Sequence, residues 1–318
     1  MTGSISNPPD PVLDRALGAL IGLAVGDALG TTIEFSRRDS HPPATEMVGG
    51  GPFELKPGEW TDDTSMALCL ADSLIANNGA LDPRDLADRF VRWWRHGENS
   101  VNGRCFDIGN ATRAALSNYL RTGEPHGDDA TLSAGNGGIM RLAPAVIAAH
   151  RDANKAAALS RAQSLVTHAA PECLDSAEVL ARVLVAGIAG DGHAALDAGV
   201  DARLAASKVK VIAIGGWRGK TRDQIKSSGY VVNTLEAALW AVGGSSSFEE
   251  AVLKAVNLGD DADTVGAVTG QLAGAIYGRS AIPKRWLARL AWKESIEERA
   301  HALLRVGSVT VDVRRSDA

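Results

Sequence analysis

Two short acidic clusters, far apart in the chain, carry the strongest chemical signal. The first is Trp60-Thr61-Asp62-Asp63-Thr64 and the second is Gly259-Asp260-Asp261-Ala262-Asp263-Thr264. Each precedes an apolar run with helical spacing, so each stands at a helix start. Thr and Asp are preferred N-cap residues, and first-turn acids favour the helix dipole. Capping uses one such side chain, however, and here the carboxylates are in excess. Adjacent carboxylates repel, and a cation holds them together at least cost. The donors are all oxygen, without paired His or Cys. That chemistry suits a hard divalent cation, Mg2+ or Mn2+ ahead of Ca2+, over zinc. If the clusters share one site, residues 61–63 and 261–264 meet in space and the two ends of a single domain close on each other.

Other polar groups have a bland reading beside a chemical one. Ser133 to Arg141 forms a glycine-rich turn (SAGNGGIMR) ahead of an expected helix. Backbone N–H groups there, with a helix start behind them, suit phosphate oxygens. The pattern is neither the Rossmann nor the P-loop one, because no strand precedes it and no Gly-Lys-Ser/Thr follows. Asp27 ends a strongly apolar run, with Glu34 just beyond. Asp107 is either the N-cap of the helix that follows or a substrate ligand. His168 closes an apolar helix.

The elements that position these residues read as helices. Apolar spacing with Gly, Pro, Asn and Asp boundaries recurs from Leu13 onward. Asp82-Pro83 supplies a cap and a first-turn proline ahead of Leu86, Phe90, Trp93 and Trp94. Further starts fall near Asp107, Pro171, Val231 and Phe248. Residues 41–60 and 207–229 read as long irregular stretches, and long ordered loops are often functional. Ser308–Val313 alone alternates like a strand. Two helices carry a stripe of glycine at every fourth residue: Gly18, Gly22, Gly26, Gly30 and Gly266, Gly270, Gly274, Gly278. Glycine costs a helix about 1 kcal/mol against alanine, so the stripes need compensation. Two close-packed central helices, against each other, would provide it. The expected organisation is an arm over 1–11, one all-α domain over 12–307 and a tail over 308–318.

Bulk composition narrows the class. The 318 residues carry a net charge of −5, so bulk charge recommends neither nucleic acid nor an anionic membrane surface as partner. Hydrophobic residues at 45% and charged residues at 22% are ordinary for a soluble globular domain. Cys69, Cys105 and Cys173 show no ligand spacing or disulfide pattern. No signal peptide is visible, and charge or glycine breaks every apolar run, so no span is read and a cytoplasmic monomer is expected.

Taken together, GLAVGDALGTTIEF, GEWTDDTSMALCLADSL, FDIGNATRAAL, GNGGIMRLAP, VTHAAPE, SGYVVNTLEAALWA and NLGDDADTVGAVTGQLAGAIYG resemble the ADP-ribosylglycohydrolase family. The likeness is to its dinitrogenase-reductase-activating branch, in the family's order, over residues 13–290. It implies a compact orthogonal helical bundle with two divalent cations, Mg2+ or Mn2+. The implied ligands are Thr61, Asp62, Asp63, Asp261, Asp263 and Thr264. Gly135, Asn136, Gly137, Gly138, Ile139, Met140 and Arg141 would hold a diphosphate, and His168 would border the ADP-ribose site. Asp62, Asp107 and Glu34 are the implied catalytic acids, with Asp107 also contacting an arginine-linked substrate. The implied reaction is hydrolysis of the N-glycosidic bond between ADP-ribose and an arginine side chain. The same metals acting on a serine-linked or small-molecule substrate, or a non-catalytic ADP-ribose-binding or immunity protein, are the alternatives.

Overall fold

The computed structural model describes residues 10–130 and 134–308. Ser133, nearly all of the expected arm and residues 309–318 lie outside that range. The fold is all-α, and among the described residues the only β pairings are isolated bridges such as Gly135–Tyr230. The first half holds α1 (Pro11–Gly30), α2 (Asp62–Ala76), α3 (Pro83–His96), α4 (Asn110–Thr122) and the single turn α5 (Gly137–Met140). Next come α6 (Ala143–Ala148), α7 (Ala153–Leu165), α8 (Pro171–Ala189) and α9 (Ser207–Ala213). The chain ends with α10 (Val231–Gly243), α11 (Phe248–Val256), α12 (Ala262–Tyr277), α13 (Lys284–Leu287) and α14 (Lys293–Ser308).

α1 and α12 are the central pair, packed along most of their lengths, with α2, α8, α10, α11 and α14 around them. The glycine stripes are the reason they approach so closely. A Cβ at Gly18, Gly22 or Gly26 would fall under 3.0 Å from the carbonyl oxygen of Gly274, Gly270 or Gly266 respectively, and the reverse holds for each partner. The register extends to Gly30, which faces Ala262 and the Cα of Asp263. Gly278 is a correction to the expected stripe: it ends α12 at φ +84° and faces Asp14 instead. Pro11–Ile33 is long and apolar enough to cross a bilayer, yet 89% of an 18-residue stretch within it is buried inside the protein. Its apolar faces meet other helices all round.

Local signals explain most boundaries. Asp82 accepts from the N–H groups of Arg84 and Asp85 to start α3. α8, α10 and α11 begin at Pro171, Val231 and Phe248 as the spacing predicts. Three readings are revised. α4 begins at Asn110, because Asp107 is left-handed at φ +56° and Gly109 takes the cap position, so Asp107 is not the cap. The 207–229 stretch contains α9, whose Val209, Ile212 and Ala213 are buried at helical spacing. The flanking lysines and glycines hide that short apolar face in the sequence. Ser308, expected in a strand, ends α14.

Candidate active site

The C-terminal end of α1 and the N-termini of α2 and α12 converge, and the two acid clusters meet there. Asp27 is buried on α1 and its carboxylate takes four hydrogen bonds. Oδ1 accepts from the N–H and Oγ1 of Thr61, both at 2.9 Å. Oδ2 accepts from the N–H of Thr64 at 3.0 Å and from its Oγ1 at 2.6 Å. Thr61 makes no capping bond with its own side chain. Asp27 therefore caps α2 from another helix, which frees the Thr61 hydroxyl for the site.

That hydroxyl is crowded by acceptors. Besides Asp27 Oδ1, Thr61 Oγ1 lies 3.1 Å from Asp263 Oδ2 and 3.3 Å from Asp63 Oδ2. Thr264 Oγ1 approaches the same Asp63 oxygen at 3.4 Å. One hydroxyl has one proton, so at most one of its three carboxylate neighbours receives it. Asp63 Oδ1, Asp263 Oδ1 and Glu34 Oε2 are buried without any partner. Unsatisfied anionic oxygens at such density need a proton or a cation. Two carboxylate triads, Asp27–Asp63–Asp263 and Glu34–Asp107–Asp263, each bring ligand oxygens within 4.8 Å of one another and share Asp263. The donor set fits a hard divalent cation.

The protonation energetics agree. Burial first, and the other carboxylates second, hold Asp62 and Asp63 well above the usual aspartate range. The same causes push Asp107 to about 9 and Glu34 to about 12, with Asp263 the leading neighbour of both. Without a cation the cluster keeps protons at neutral pH. A bound cation would exchange for those on the acids that ligate it.

The cluster opens into a cleft of about 680 Å3. Glu34, Asp62, Asp107, Asp261 and Thr264 line it, as do Gly135, Asn136, Gly137, Met140 and His168. Thr61, Asp63 and Asp263 lie deeper. Asn136 donates from Nδ2 to Asp261 Oδ2 at 2.6 Å and so ties the glycine turn to the second cluster. A neighbouring cavity of about 800 Å3 shares Asn110, Ala111 and Gly135 with the cleft and contains none of the clustered acids.

The glycine turn has a packing reason for its composition. A Cβ on Gly137 would meet the His168 imidazole and one on Gly138 would meet Ser164 Oγ. The Asn136 N–H is committed to the Gly229 carbonyl. Gly138 and Ile139 are buried beneath the turn. Arg141 is enclosed as well: its guanidinium donates to Gln163 Oε1, the Gln163 carbonyl and Thr167 Oγ1, and stacks on Phe90. Burial lowers its pKa to about 9. Thr167 Oγ1 in turn lies 2.8 Å from His168 Nδ1. Burial, then the Arg141 charge, pushes His168 down to about 3, so its ring is neutral.

The sequence noted Asp27 but gave it no task, although an acid inside an apolar glycine-striped run was the available signal. Phe35 and Phe53, which line the cleft, and Phe106, which packs on Phe53, carried no spacing signal at all.

A family model for the ADP-ribosylglycohydrolases matches residues 8–311. The chain is 51% identical over 297 residues to the ADP-ribosylarginine hydrolase Tri1 of Pseudomonas putida, covering 93% of this chain and 79% of the relative. It is 35% identical to the ADP-ribosyl-[dinitrogen reductase] glycohydrolase of Rhodospirillum rubrum, covering 92% and 96%. A solved structure, an ADP-ribosylglycohydrolase-related protein complex, superimposes with a TM-score of 0.83 at 45% identity, covering 93% of this chain and 99% of that one.

Proposed function

The chain belongs to the ADP-ribosylglycohydrolase family, and on that premise we propose that it hydrolyses the N-glycosidic bond between ADP-ribose and arginine side chains. The observation that carries the reading is the shared carboxylate cage at the floor of the cleft, together with half-identity to a relative named for that activity. Within it, Thr61, Asp62, Asp63, Asp261, Asp263 and Thr264 are the candidate ligands of two divalent cations, Mg2+ or Mn2+. Asp27 adds a carboxylate to one triad while it holds α2. A cation bound there would supply Lewis acidity and a nucleophile at neutral pH.

The chain's own residues do the rest. Water adds to the anomeric carbon, the carbon–nitrogen bond breaks, and the departing guanidine nitrogen must gain a proton. Glu34 and Asp107 line the cleft and have raised proton affinity, so they are the candidate proton donors. Once it has given up its proton, Asp107 also suits the guanidinium, since carboxylate and guanidinium pair in two parallel bonds. The edge of the turn at Gly135–Gly137, with neutral His168 beside it, is the candidate bed for ribose and diphosphate. A cytoplasmic monomer remains part of this reading, and three unpaired cysteines suit a reducing compartment.

The test is release of ADP-ribose from arginine-linked and serine-linked substrates, with and without EDTA. The expected result is release from the arginine linkage, loss in chelator and recovery with Mn2+ or Mg2+. Full activity in chelator would remove the cation from the reading, and release from the serine linkage alone would replace the substrate.

A further inference from the structure

Two acid–aromatic pairs flank the cleft mouth, Glu34-Phe35 and Phe106-Asp107. One member of each is left-handed, Phe35 at φ +60° and Asp107 at φ +56°, a backbone that bulky residues rarely adopt. The turn at Glu34-Phe35 separates neighbours sharply: Glu34 is 4% exposed inside the cleft, whereas Phe35 stands 65% exposed at its edge. The conformation is fastened, because the Phe35 N–H donates to the Asp260 carbonyl at 2.7 Å and the Asp260 N–H to the Ser36 carbonyl at 2.8 Å. Phe53, from the loop between α1 and α2, joins the two pairs. Its ring centroid lies 6.4 Å from that of Phe35 and 5.2 Å from that of Phe106. Phe35 and Phe53 line the cleft with Glu34, Asp62 and Asp107. Three rings from two loops, α1–α2 and α3–α4, thus form a row: Phe35 and Phe53 line the carboxylate cleft and Phe106 packs on Phe53. Folding alone gives no reason to hold a phenylalanine in a disfavoured backbone and leave it in water; such strain and exposed apolar surface mark binding positions.

We propose that Phe35, Phe53 and Phe106 form a collar for the arginine side chain that bears ADP-ribose, and so select the linkage. This rests on the arginine-linked reading of the site. Guanidinium is a planar, weakly hydrated cation that stacks on aromatic faces while pairing with carboxylates. The mouth offers both at once, with Asp107 and Glu34 next in sequence to two of the rings. The methylene stem of arginine finds apolar surface in the same row. A serine linkage has neither feature. Arg113, on α4, is the only permanent cation lining the cleft among the described residues, so little positive charge at the mouth opposes a guanidinium. The competing planar occupant is the adenine of the same substrate.

The test uses the full chain with Phe35→Ala, Phe53→Ala and the double variant. Their denaturation midpoints report folding. KM and kcat are measured on ADP-ribosyl-arginine, and ADP-ribose is titrated as a competing product. The double variant is expected to raise KM about 10-fold, in line with loss of a partly desolvated cation–aromatic contact. Inhibition by ADP-ribose should stay within about 2-fold of wild type, as the contact is with the leaving side chain. Phe35→Tyr should restore KM, and Phe35→Leu, which keeps apolar area without a ring face, should not. A parallel loss of ADP-ribose inhibition would assign the collar to adenine and overturn the proposal. Unchanged KM in folded variants would overturn it too, with the arginine activity itself intact. Wild-type protein that releases nothing from the arginine linkage would instead remove the underlying reading and the collar with it.

Discussion

The α1–α12 seam and the acid cage at its end share two helices and solve opposite problems. Along the seam, Gly18, Gly22 and Gly26 meet Gly274, Gly270 and Gly266 backbone to backbone, and every neighbour is satisfied by contact. At its end, Asp27 and Asp263 bring charge into equally tight quarters, and Asp63 Oδ1, Asp263 Oδ1 and Glu34 Oε2 stay unpartnered. The seam is complete in the protein alone, whereas the cage is complete only with something added. The difference teaches where binding energy is stored: a packed, rigid seam holds like charges together at a distance they would not choose.

Substitution in the seam should produce the largest effect. Gly22→Leu or Gly270→Leu would force a side chain into a facing carbonyl, and overpacking of this kind costs about 3 kcal/mol or more, against at most about 1 kcal/mol gained in helix propensity. Chemical denaturation should find these variants strongly destabilised or unfolded, with Gly22→Ala milder. Leucine variants as stable as wild type would show that the seam does not exist.

In the cage the pattern should invert, with function lost and stability kept. Asp263→Asn or Asp261→Asn is expected to lower turnover by more than about 100-fold, beyond the loss typical of an outer-shell change. The folded protein without metal should be as stable as wild type or slightly more so, because a neutral amide replaces a buried group that must either hold a proton or repel its neighbours. Wild-type turnover and cation affinity in Asp261→Asn would reduce the second cluster to a helix cap.

Asp27 belongs to both regions and should show both effects. In Asp27→Asn an amide nitrogen replaces one accepting oxygen, so one pair of bonds, from Thr61 or from Thr64, is lost. A cost of about 1–3 kcal/mol is expected from the donors left buried, together with weaker cation binding by calorimetry. A variant that lost activity at unchanged stability would make Asp27 a ligand alone and not the cap of α2.

The smallest expected effect is the pH dependence of the metal-free protein. Burial, helped for Asp261 by Asp263 and for Asp263 by Asp27, raises the two from 3.8 to about 7, and burial raises Asp27 to about 6. Acids that hold protons more tightly when folded stabilise fully below their unfolded value, and lose that contribution as pH rises through the folded one. The thermal midpoint in chelator should therefore fall by a few degrees between about pH 5 and about pH 7.5. Saturating Mg2+ or Mn2+ should abolish the slope, and Asp263→Asn should flatten it. A midpoint that rises over the same range would contradict the cage as described.

The seam was legible because its signal is periodic: glycine at every fourth residue has one physical use, and only the end of the register, Gly278, misled. The cage was legible in its types, since clustered Asp and Thr exceed what capping needs. The glycine turn was harder, because glycine there answers to the His168 ring and Ser164 as much as to any ligand. Arg141 could not be placed from sequence; its neighbours Gln163, Thr167 and Phe90 come from α7, the turn after it and α3.

What the sequence determined by itself is therefore local: helix starts at Asp82-Pro83, Pro171, Val231 and Phe248, the glycine faces, and an inventory of hard oxygen donors. Each depends on neighbours within a turn or two of the chain. Tertiary structure alone decided that Asp27 caps α2 across a helix boundary, that Asp263 is shared by two carboxylate triads, and that phenylalanines from the α1–α2 and α3–α4 loops form one row. These are contacts between residues with no fixed spacing, and the first two need the close approach of α1 and α12 that glycine allows.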